Sequence, residues 1–375
     1  MKTSSLYFGA GVAALVMAAA CGANAQSWAD STSVSGRIYA DVSDISSKLN
    51  GVESNSKGTS GIPATNGFGT DVKRFYVGID HKFTDMFSVN VTTDFQTTGY
   101  TTNSGSTANL DTVYIKKAYL AMNVSPALNV TVGANDMPWI PYAEGIYGNR
   151  FVEKTLTDRL GYGTSSDWGV HAAGTFAKFF SYDVAAVNGN GYKDPSRAKS
   201  VNFEGRLSAK VDQWNFAIGG YTGKRAQDLP GVLTPHTASR FNALAAYVGD
   251  RLRLGAEYFN TNDWAAGAIT DTTGAHTAAD KAFGMSYFGA YRLTPVYTVF
   301  AKVEDAKFNK KPNTATPIYP SKDNYYNLGI DYTAFKNVDF ALVVKHDRLL
   351  QLNSAKTGQD STVANEIGLY SQLRF

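Results

Sequence analysis

The chain has 375 residues, and its 35 lysine and arginine residues against 32 acidic residues give a formal net charge of +3 at pH 7. This balance is too even for a protein that binds nucleic acid through a basic surface. The chain has 35 glycines, 22 tyrosines and 21 phenylalanines, and long helical patterns of Ala, Leu, Glu and Lys are missing, so we expect an all-β fold.

Residues 1–25 have the pattern of a secretory signal peptide. Lys2 gives a positive start, residues 6–20 are an apolar stretch too short to span a bilayer, and a small-residue cleavage site ends at Ala25. The alternative is lipoprotein processing at Cys21, although alanine replaces the usual leucine three residues earlier.

Cleavage after Ala25 removes the only cysteine. The net charge then falls from +3 to about +2, because Lys2 is the only charged residue in the removed segment. The mature chain, residues 26–375, would have no disulfide, thiol nucleophile or cysteine-based metal site. Export without cysteine favours a bacterial envelope protein.

The mature chain alternates apolar and polar residues in sixteen strand-like segments of about 9–12 residues. In chain order the segments are residues 33–42, 75–83, 87–95, 113–122, 128–134, 168–174, 179–187, 200–210, 214–221, 241–248, 252–259, 285–291, 296–304, 325–332, 338–347 and 363–375. The alternation is least clear in 113–122 and 241–248, where both faces carry apolar residues.

The connections between these segments alternate between seven short turns and eight long stretches, with both termini on the short-turn side. Bacterial outer-membrane barrels have an even strand number, short periplasmic turns and long extracellular loops. A sheet in lipid must close on itself to satisfy its backbone groups, so we expect the last strand to pair with the first. A soluble β-sandwich or β-helix is the alternative, but neither explains this alternation.

Aromatic residues at the turn-side strand ends predict a girdle at the membrane interface. They are Phe83, Phe87, Trp214, Tyr291, Tyr332 and Phe375. After residue 25, no apolar run reaches the 18 residues that a transmembrane helix needs.

The sequence resembles Gram-negative outer-membrane porins along the whole mature chain. The resemblance is carried by residues 73–95, 115–122, 128–139, 166–174, 200–211 and 370–375. It implies a transmembrane antiparallel β-barrel of about 16 strands, a homotrimer, and a third long loop folded into the pore. It also implies that Phe375 is the signal for assembly into the membrane. General porins and phosphate-selective porins are both similar in layout.

By parity, the predicted lumen carries charges of both signs, which excludes a strong field of one sign. The basic residues are Arg37, Arg74, Lys82, Arg206, Arg251, Arg253, Lys302, Lys345 and Arg374. The acidic residues are Asp41, Asp80, Asp94, Glu204, Glu257, Glu304, Asp331, Asp339, Asp347 and Glu366. The interleaved acids depart from the lumen arginine ladder of phosphate-selective porins. Sixteen strands leave a water-filled channel.

The third long connection, residues 136–166, is the predicted pore constriction. Its five aromatic residues and two prolines make it too apolar for a loop that extends into water. We expect its acidic residues to face Arg37 and Arg74 across the pore. The acidic residues are Asp136, Glu144, Glu153 and Asp158, and Arg150, Lys154 and Arg159 complete the predicted set. The alternative is a loop packed at a subunit interface.

Motifs of hydrolases, metalloproteases and nucleotide-binding enzymes are missing, and the five histidines are dispersed. We therefore expect neither enzyme activity nor a cofactor nor a metal. The predicted function is passive diffusion of ions and small hydrophilic solutes through an outer-membrane channel surrounded by lipid. The alternatives are selective uptake of phosphate or sugar, and a barrel that acts as an adhesin or other surface-interaction protein.

Overall fold

The structure is a computed structural model that describes Trp28 and residues 30–55, 66–98, 110–231, 236–264, 280–309, 321–352 and 358–375. The predicted signal peptide, residues 1–25, lies outside the described residues. So do parts of several long connections that the sequence predicts on the extracellular side.

The described residues form a closed, all-antiparallel barrel with two short helices inside it. The strands are β1 (Thr32–Leu49), β2 (Val52–Glu53), β3 (Gly67–Lys82), β4 (Phe87–Thr98), β5 (Leu110–Ser125), β6 (Leu128–Asp136), β7 (Ser166–Phe176), β8 (Phe180–Val187), β9 (Asn202–Val211), β10 (Trp214–Gly223), β11 (Ala238–Val248), β12 (Leu252–Asn262), β13 (Lys281–Arg292), β14 (Tyr297–Asn309), β15 (Ser321–Phe335), β16 (Val338–Leu352) and β17 (Gln359–Arg374). The helices are α1 (Ile140–Tyr147) and α2 (Leu156–Arg159).

The barrel wall has sixteen strands, because the two-residue β2 only extends the end of β1. Each wall strand pairs with its neighbours in the chain, and β17 closes the barrel by pairing with β1 from Arg37 opposite Arg374 to Leu49 opposite Thr362. The predicted sixteen-strand barrel and its closure by the last strand are confirmed. The wall strands contain 8 to 18 residues, and several of them extend beyond the predicted segments.

The outer face of the wall is apolar. All six residues of the predicted aromatic girdle are exposed, from 38% for Phe87 to 56% for Phe83 and Phe375. Phe375 joins its backbone to Gly36 of β1 by hydrogen bonds of 2.8 and 3.1 Å. A Cβ at Gly36 would lie 2.0 Å from the Phe375 ring, so the ring packs directly on the backbone of the first strand.

None of the helices in the described part of the chain is long and apolar enough to cross a membrane. Both helices belong to the connection between β6 and β7, and their buried residues pack inside the barrel against β10 to β16. This connection lies across the interior, and the residues around it form the candidate functional site.

Candidate functional site: the pore and its constriction

Trp139 attaches the start of the connection to the inner wall. Its side chain is fully buried, and its indole Nε1 donates to Glu257 Oε1 at 2.9 Å while its backbone N–H donates to Glu204 Oε1 at 2.9 Å. The ring packs against Gly219 of β10, where a Cβ would come within 2.6 Å of it. A larger residue at position 219 would therefore displace the connection from the wall.

Arg159 attaches the end of the connection. Its guanidinium is fully buried and contacts Glu304 Oε2 at 2.5 Å, Asp323, and Asp347 Oδ2 at 4.0 Å. Burial disfavours the charge, but the three carboxylates outweigh it and raise the pKa of Arg159 well above its usual value. Since a buried charge is tolerated only when it is paired, this cluster holds α2 in one position.

A third contact joins the middle of the connection to the seam where the barrel closes. Glu153 lies 3.5 Å from Lys345 of β16, which lies 3.4 Å from Glu366 of β17. Glu366 in turn lies 3.9 Å from Lys73 of β3. The Nζ of Lys302 also donates to the backbone carbonyl of Lys154. The connection is thus tied to strands on both sides of the interior.

These contacts cover the acidic part of the inner wall. We call the inner faces of β9 to β16 the covered wall and those of β1 and β3 to β6 the open wall. The five carboxylates of the covered wall that lie beneath the connection are at most 4% exposed. They are Glu204, Glu257, Glu304, Asp323 and Asp347.

Along the open wall, two cavities lie between the connection and the barrel. The turn-side cavity, about 660 Å³, reaches Gly36 and Phe375 at the turn-side rim. The loop-side cavity, about 160 Å³, lies beside residues 163–165 and 190–193. Tyr76 and Arg150 line both cavities, so they mark the neck between them.

Eight basic and four acidic residues line the two cavities. The basic residues are Arg37, Arg74, Lys116, Lys117, Arg150, Lys154, Lys193 and Arg374, and the acidic residues are Asp80, Asp136, Glu144 and Asp158. The wall as a whole is balanced, but the surface that faces the passage is basic.

Two β-bulges add lysines to the interior. The register of β3 against β1 slips at Lys73, and the register of β5 against β4 slips at Lys116. A bulge turns two consecutive side chains to the same face. Lys73 and Arg74 therefore both point inward, where they contact Asp41 and Asp94, and so do Lys116 and Lys117, which contact Ser165 and Asp136.

The acidic residues of the connection are neutralised close to where they lie. Arg150 pairs with Glu144 and lies 3.5 Å from Asp158, which is also 3.6 Å from Lys154. Burial opposes both charges, but the carboxylates raise the pKa of Arg150, while Lys154 and Arg150 lower the pKa of Asp158. Both groups stay charged, and the connection presents a mixed surface to the open wall.

The structure brings some of the predicted constriction residues to the passage and not others. Arg37, Arg74, Asp136, Glu144, Arg150, Lys154 and Asp158 line it, together with Asp80 of the predicted lumen set. Glu153 and Arg159 differ from expectation: they are 6% and 1% exposed, because they attach the connection to the covered wall. Glu204 and Glu257 are covered for the same reason.

The other predicted lumen residues have varied positions. Arg206 stacks on Tyr142 at 4.0 Å from the ring centre, and Arg253 donates to the Tyr147 carbonyl at 3.0 Å. Asp94 is buried and accepts a 2.5 Å hydrogen bond from Tyr192.

Lys82 and Arg251 differ from expectation, because both lie at the turn-side rim. Lys82 ends β3 and pairs at 2.7 Å with Asp85 in the following turn. Arg251 is exposed in the turn before β12.

Sequence reasoning missed Lys73, Lys116, Lys117 and Lys193. Strict alternation assigns only one of two adjacent basic residues to the lumen, so Lys73 was passed over in favour of Arg74. The segment of Lys116 and Lys117 gives no clear parity, and Lys193 lies in a long connection where no parity applies. The pair Lys116–Lys117, inside a segment with apolar residues on both faces, was the one signal of a bulge. In the described part of the chain, no group of three or more His, Cys, Asp or Glu side chains is arranged to hold a metal ion.

The described residues have the fold of the sixteen-stranded porins. Comparison with protein-family models finds no match, and comparison with curated proteins finds none either. Comparison of structures finds similar folds at low sequence identity, each covering 92% of this chain.

The outer membrane channel DcaP of Acinetobacter baumannii has a TM-score of 0.62 at 14% identity over 97% of its length. The anion-selective porin of Comamonas acidovorans has a TM-score of 0.59 at 10% identity over 99% of its length. The trimer form of OmpT, an outer membrane protein of Vibrio cholerae, has a TM-score of 0.55 at 12% identity over 99% of its length. These likenesses concern the fold alone.

Proposed function

We propose that this protein is an outer-membrane porin, a water-filled channel for the passive diffusion of ions and small hydrophilic solutes, and that it prefers anions. The observation that carries the preference is the uneven covering of the inner wall. The carboxylates of the covered wall lie beneath the connection from β6 to β7, whereas eight basic and four acidic residues line the passage.

A narrow aqueous passage lined by an excess of one charge concentrates ions of the opposite charge. Buried, paired carboxylates such as Glu304 act only weakly on permeant ions, because Arg159 and Lys302 lie within 2.9 Å of it and compensate its charge. Most cations that line the passage also have a carboxylate within 4.0 Å, but Arg37 and Lys116 do not among the described residues. The field along the passage is therefore positive.

The experiment is a single-channel recording of the purified protein in a planar bilayer with a KCl gradient. We expect steady conductance and a reversal potential whose sign corresponds to chloride as the more permeant ion. The preference should weaken near 1 M salt, where the Debye length is about 3 Å. A reversal potential of the cation-selective sign would contradict the preference, and the absence of conductance would contradict the channel and favour a surface-interaction or enzymatic barrel.

The proposal includes a homotrimer in the outer membrane, reached after cleavage at Ala25. The apolar outer band with its aromatic girdle suits a lipid environment, and a trimer form is known for OmpT of Vibrio cholerae. We expect unboiled protein to migrate on SDS gels as a compact species of three chains, and boiled protein as a single chain. Identical migration in both conditions would contradict the assembly.

Phe375 is proposed as the assembly signal. Its exposed ring and its hydrogen bonds to Gly36 place an aromatic group at the turn-side rim, where the closing strand meets the first. Replacing Phe375 by Asp should lower the amount of protein in the outer membrane while export continues, and Phe375→Tyr is the matched control. Normal membrane levels of Phe375→Asp would exclude this role.

A further inference from the structure

Lys116 occupies a position that the fold creates for it. It is the unpaired residue of the bulge in β5, between Ile115, which opposes Thr93, and Lys117, which opposes Thr92. Without the bulge, either Lys116 or Lys117 would point to the outer face of the wall. A lysine on the lipid side is costly, so the bulge serves to bring both side chains into the interior.

The ammonium group of Lys116 lies at the boundary between the two cavities. Its Nζ donates to Ser165 Oγ at 3.2 Å and lies 5.1 Å from the centre of the Tyr76 ring and 5.9 Å from that of Tyr192. Lys116 itself lines the turn-side cavity, Ser165 and Tyr192 line the loop-side cavity, and Tyr76 lines both.

Aromatic rings hold this charge without neutralising it. A cation over a ring face is attracted by the ring quadrupole but keeps its full charge. Among the described residues, no carboxylate lies within 4.0 Å of the Lys116 ammonium, whereas Lys117 lies 3.2 Å from Asp136. The charge of Lys116 acts on Asp136 and Asp158 from a longer distance. The adjacent lysines thus differ in their direct contacts: Lys117 touches an acid, and Lys116 is held by a serine hydroxyl and two tyrosine rings.

The arrangement continues toward the loop side. Lys193 lies 4.9 Å from the Tyr114 ring centre and 5.8 Å from that of Tyr192, so Tyr192 is shared by Lys193 and Lys116. The charged groups around the neck are Arg74, Arg150 and Lys154 with Asp158, and Asp136 lies on the turn side. An anion that leaves the loop-side cavity passes Arg150, which is paired with Glu144, and Lys116, which has no carboxylate within 4.0 Å among the described residues.

We propose that Lys116 is a selectivity-determining residue that passes small anions from the loop-side cavity to the turn-side cavity. The proposal rests on the proposed anion preference and adds that position, and not only the sum of charges, governs anion flow. A fixed cation at the neck lowers the barrier there, while a cation at the mouth only raises the local anion concentration.

The test compares Lys116→Met with Lys193→Met, which removes an equal charge from the loop-side mouth. Lys116→Arg keeps the charge, and Lys178→Met removes a lysine from the exposed turn between β7 and β8, outside both cavities. Each variant is first shown to form a heat-modifiable barrel. Reversal potential in a KCl gradient and conductance against KCl concentration are then measured.

We expect Lys116→Met to lower the conductance at about 0.1 M KCl at least twofold, because the Debye length there is about 10 Å and the neck charge is not screened. Its reversal potential should move toward zero. Lys193→Met should shift the reversal potential with a smaller loss of conductance, Lys116→Arg should restore most of both, and Lys178→Met should match the wild type.

Two outcomes overturn the inference. If Lys116→Met matches the wild type, Lys116 does not act on the permeant ion. If Lys116→Met and Lys193→Met lower the conductance equally, only the sum of charges matters. A wild-type channel without anion preference would instead overturn the proposed function itself, and that result is read before any variant is compared.

Discussion

The covered wall and the open wall carry charges of both signs but expose them differently. On the covered wall, Glu304 and Asp323 are at most 1% exposed and are paired with Arg159. On the open wall, Arg37 faces the turn-side cavity, and its guanidinium contacts the Tyr39 hydroxyl at 3.2 Å and no carboxylate within 4.0 Å among the described residues. The field in the passage therefore depends on what the connection covers, more than on the composition of the wall.

The comparison also separates structural from functional charges. Breaking a buried ion pair leaves an uncompensated charge and is strongly destabilising, whereas an exposed charge contributes little to stability. Substitutions on the covered wall should thus change folding, and substitutions on the open wall should change ion flow. Four predictions test this division, from the largest expected effect to the smallest.

Replacing Arg159 by Met should give the largest effect. The variant leaves Glu304, Asp323 and Asp347 without their guanidinium partner, and breaking such a buried cluster costs about 3–5 kcal/mol. We expect the temperature at which the folded band disappears on SDS gels to fall, and channel currents to become noisy as α2 detaches. Arg37→Met, on the open wall, is the control and should keep the wild-type temperature, because Arg37 has no carboxylate partner within 4.0 Å among the described residues. Equal temperatures for both variants would contradict the claim that charges on the covered wall stabilise the fold and charges on the open wall do not.

Deleting residues 142–155, with a short Gly-Ser linker in their place, should widen the passage and remove part of its basic lining. We expect conductance to rise, and anion preference to fall because Arg150 and Lys154 leave the passage. Glu204 and Glu257 should stay covered, because Trp139 lies outside the deleted segment. The wall strands do not depend on this segment for their ladder hydrogen bonds, so the barrel should remain heat-modifiable. Unchanged conductance in a folded variant would mean that the segment does not limit the passage.

The sequence predicted the barrel because its signal is local and repeated. β3 and β4 show the pattern: alternating residues in each strand, a short turn between them and a long connection afterwards. This pattern recurs along the chain, and each repeat predicts another hairpin of the same barrel. The closing pair β1–β17 followed from the need to satisfy backbone groups in lipid.

The sequence did not predict which charges face water, because that depends on contacts between distant residues. Arg159 lies 164 positions before Asp323, and nothing in either segment indicates that they meet. The bulges at Lys73 and Lys116 reverse the parity of the residues that follow, which strict alternation cannot anticipate. Glu153 was therefore expected at the pore, although it attaches the connection to Lys345.

Replacing Arg37 by Met should lower anion preference without changing stability. Arg37 lines the turn-side cavity and has no carboxylate partner within 4.0 Å among the described residues, so its full charge acts on the permeant ion. Lys82→Met is a matched control, since Lys82 pairs with Asp85 at the rim and lines neither cavity. Reversal potentials in a KCl gradient measure the difference. Equal shifts in both variants would mean that a charge at the rim acts as strongly as one in the passage.

The smallest effect is the pH dependence of anion preference through Lys193. Desolvation, followed by repulsion from Arg74 and Lys154, lowers the pKa of Lys193 to about 8, although Asp94 and Asp158 act in the opposite direction. The ammonium is charged below this pKa and neutral above it, so the preference should decrease as the pH rises from about 7 to about 9, one unit on each side. The reversal potential of the wild type, measured across this range, should move toward zero. Lys193→Met should begin closer to zero and remain there across the same range. A wild-type potential that does not change across this range would mean that titration of Lys193 does not affect the permeant ion. A variant that changes as much as the wild type would assign the titration to another group.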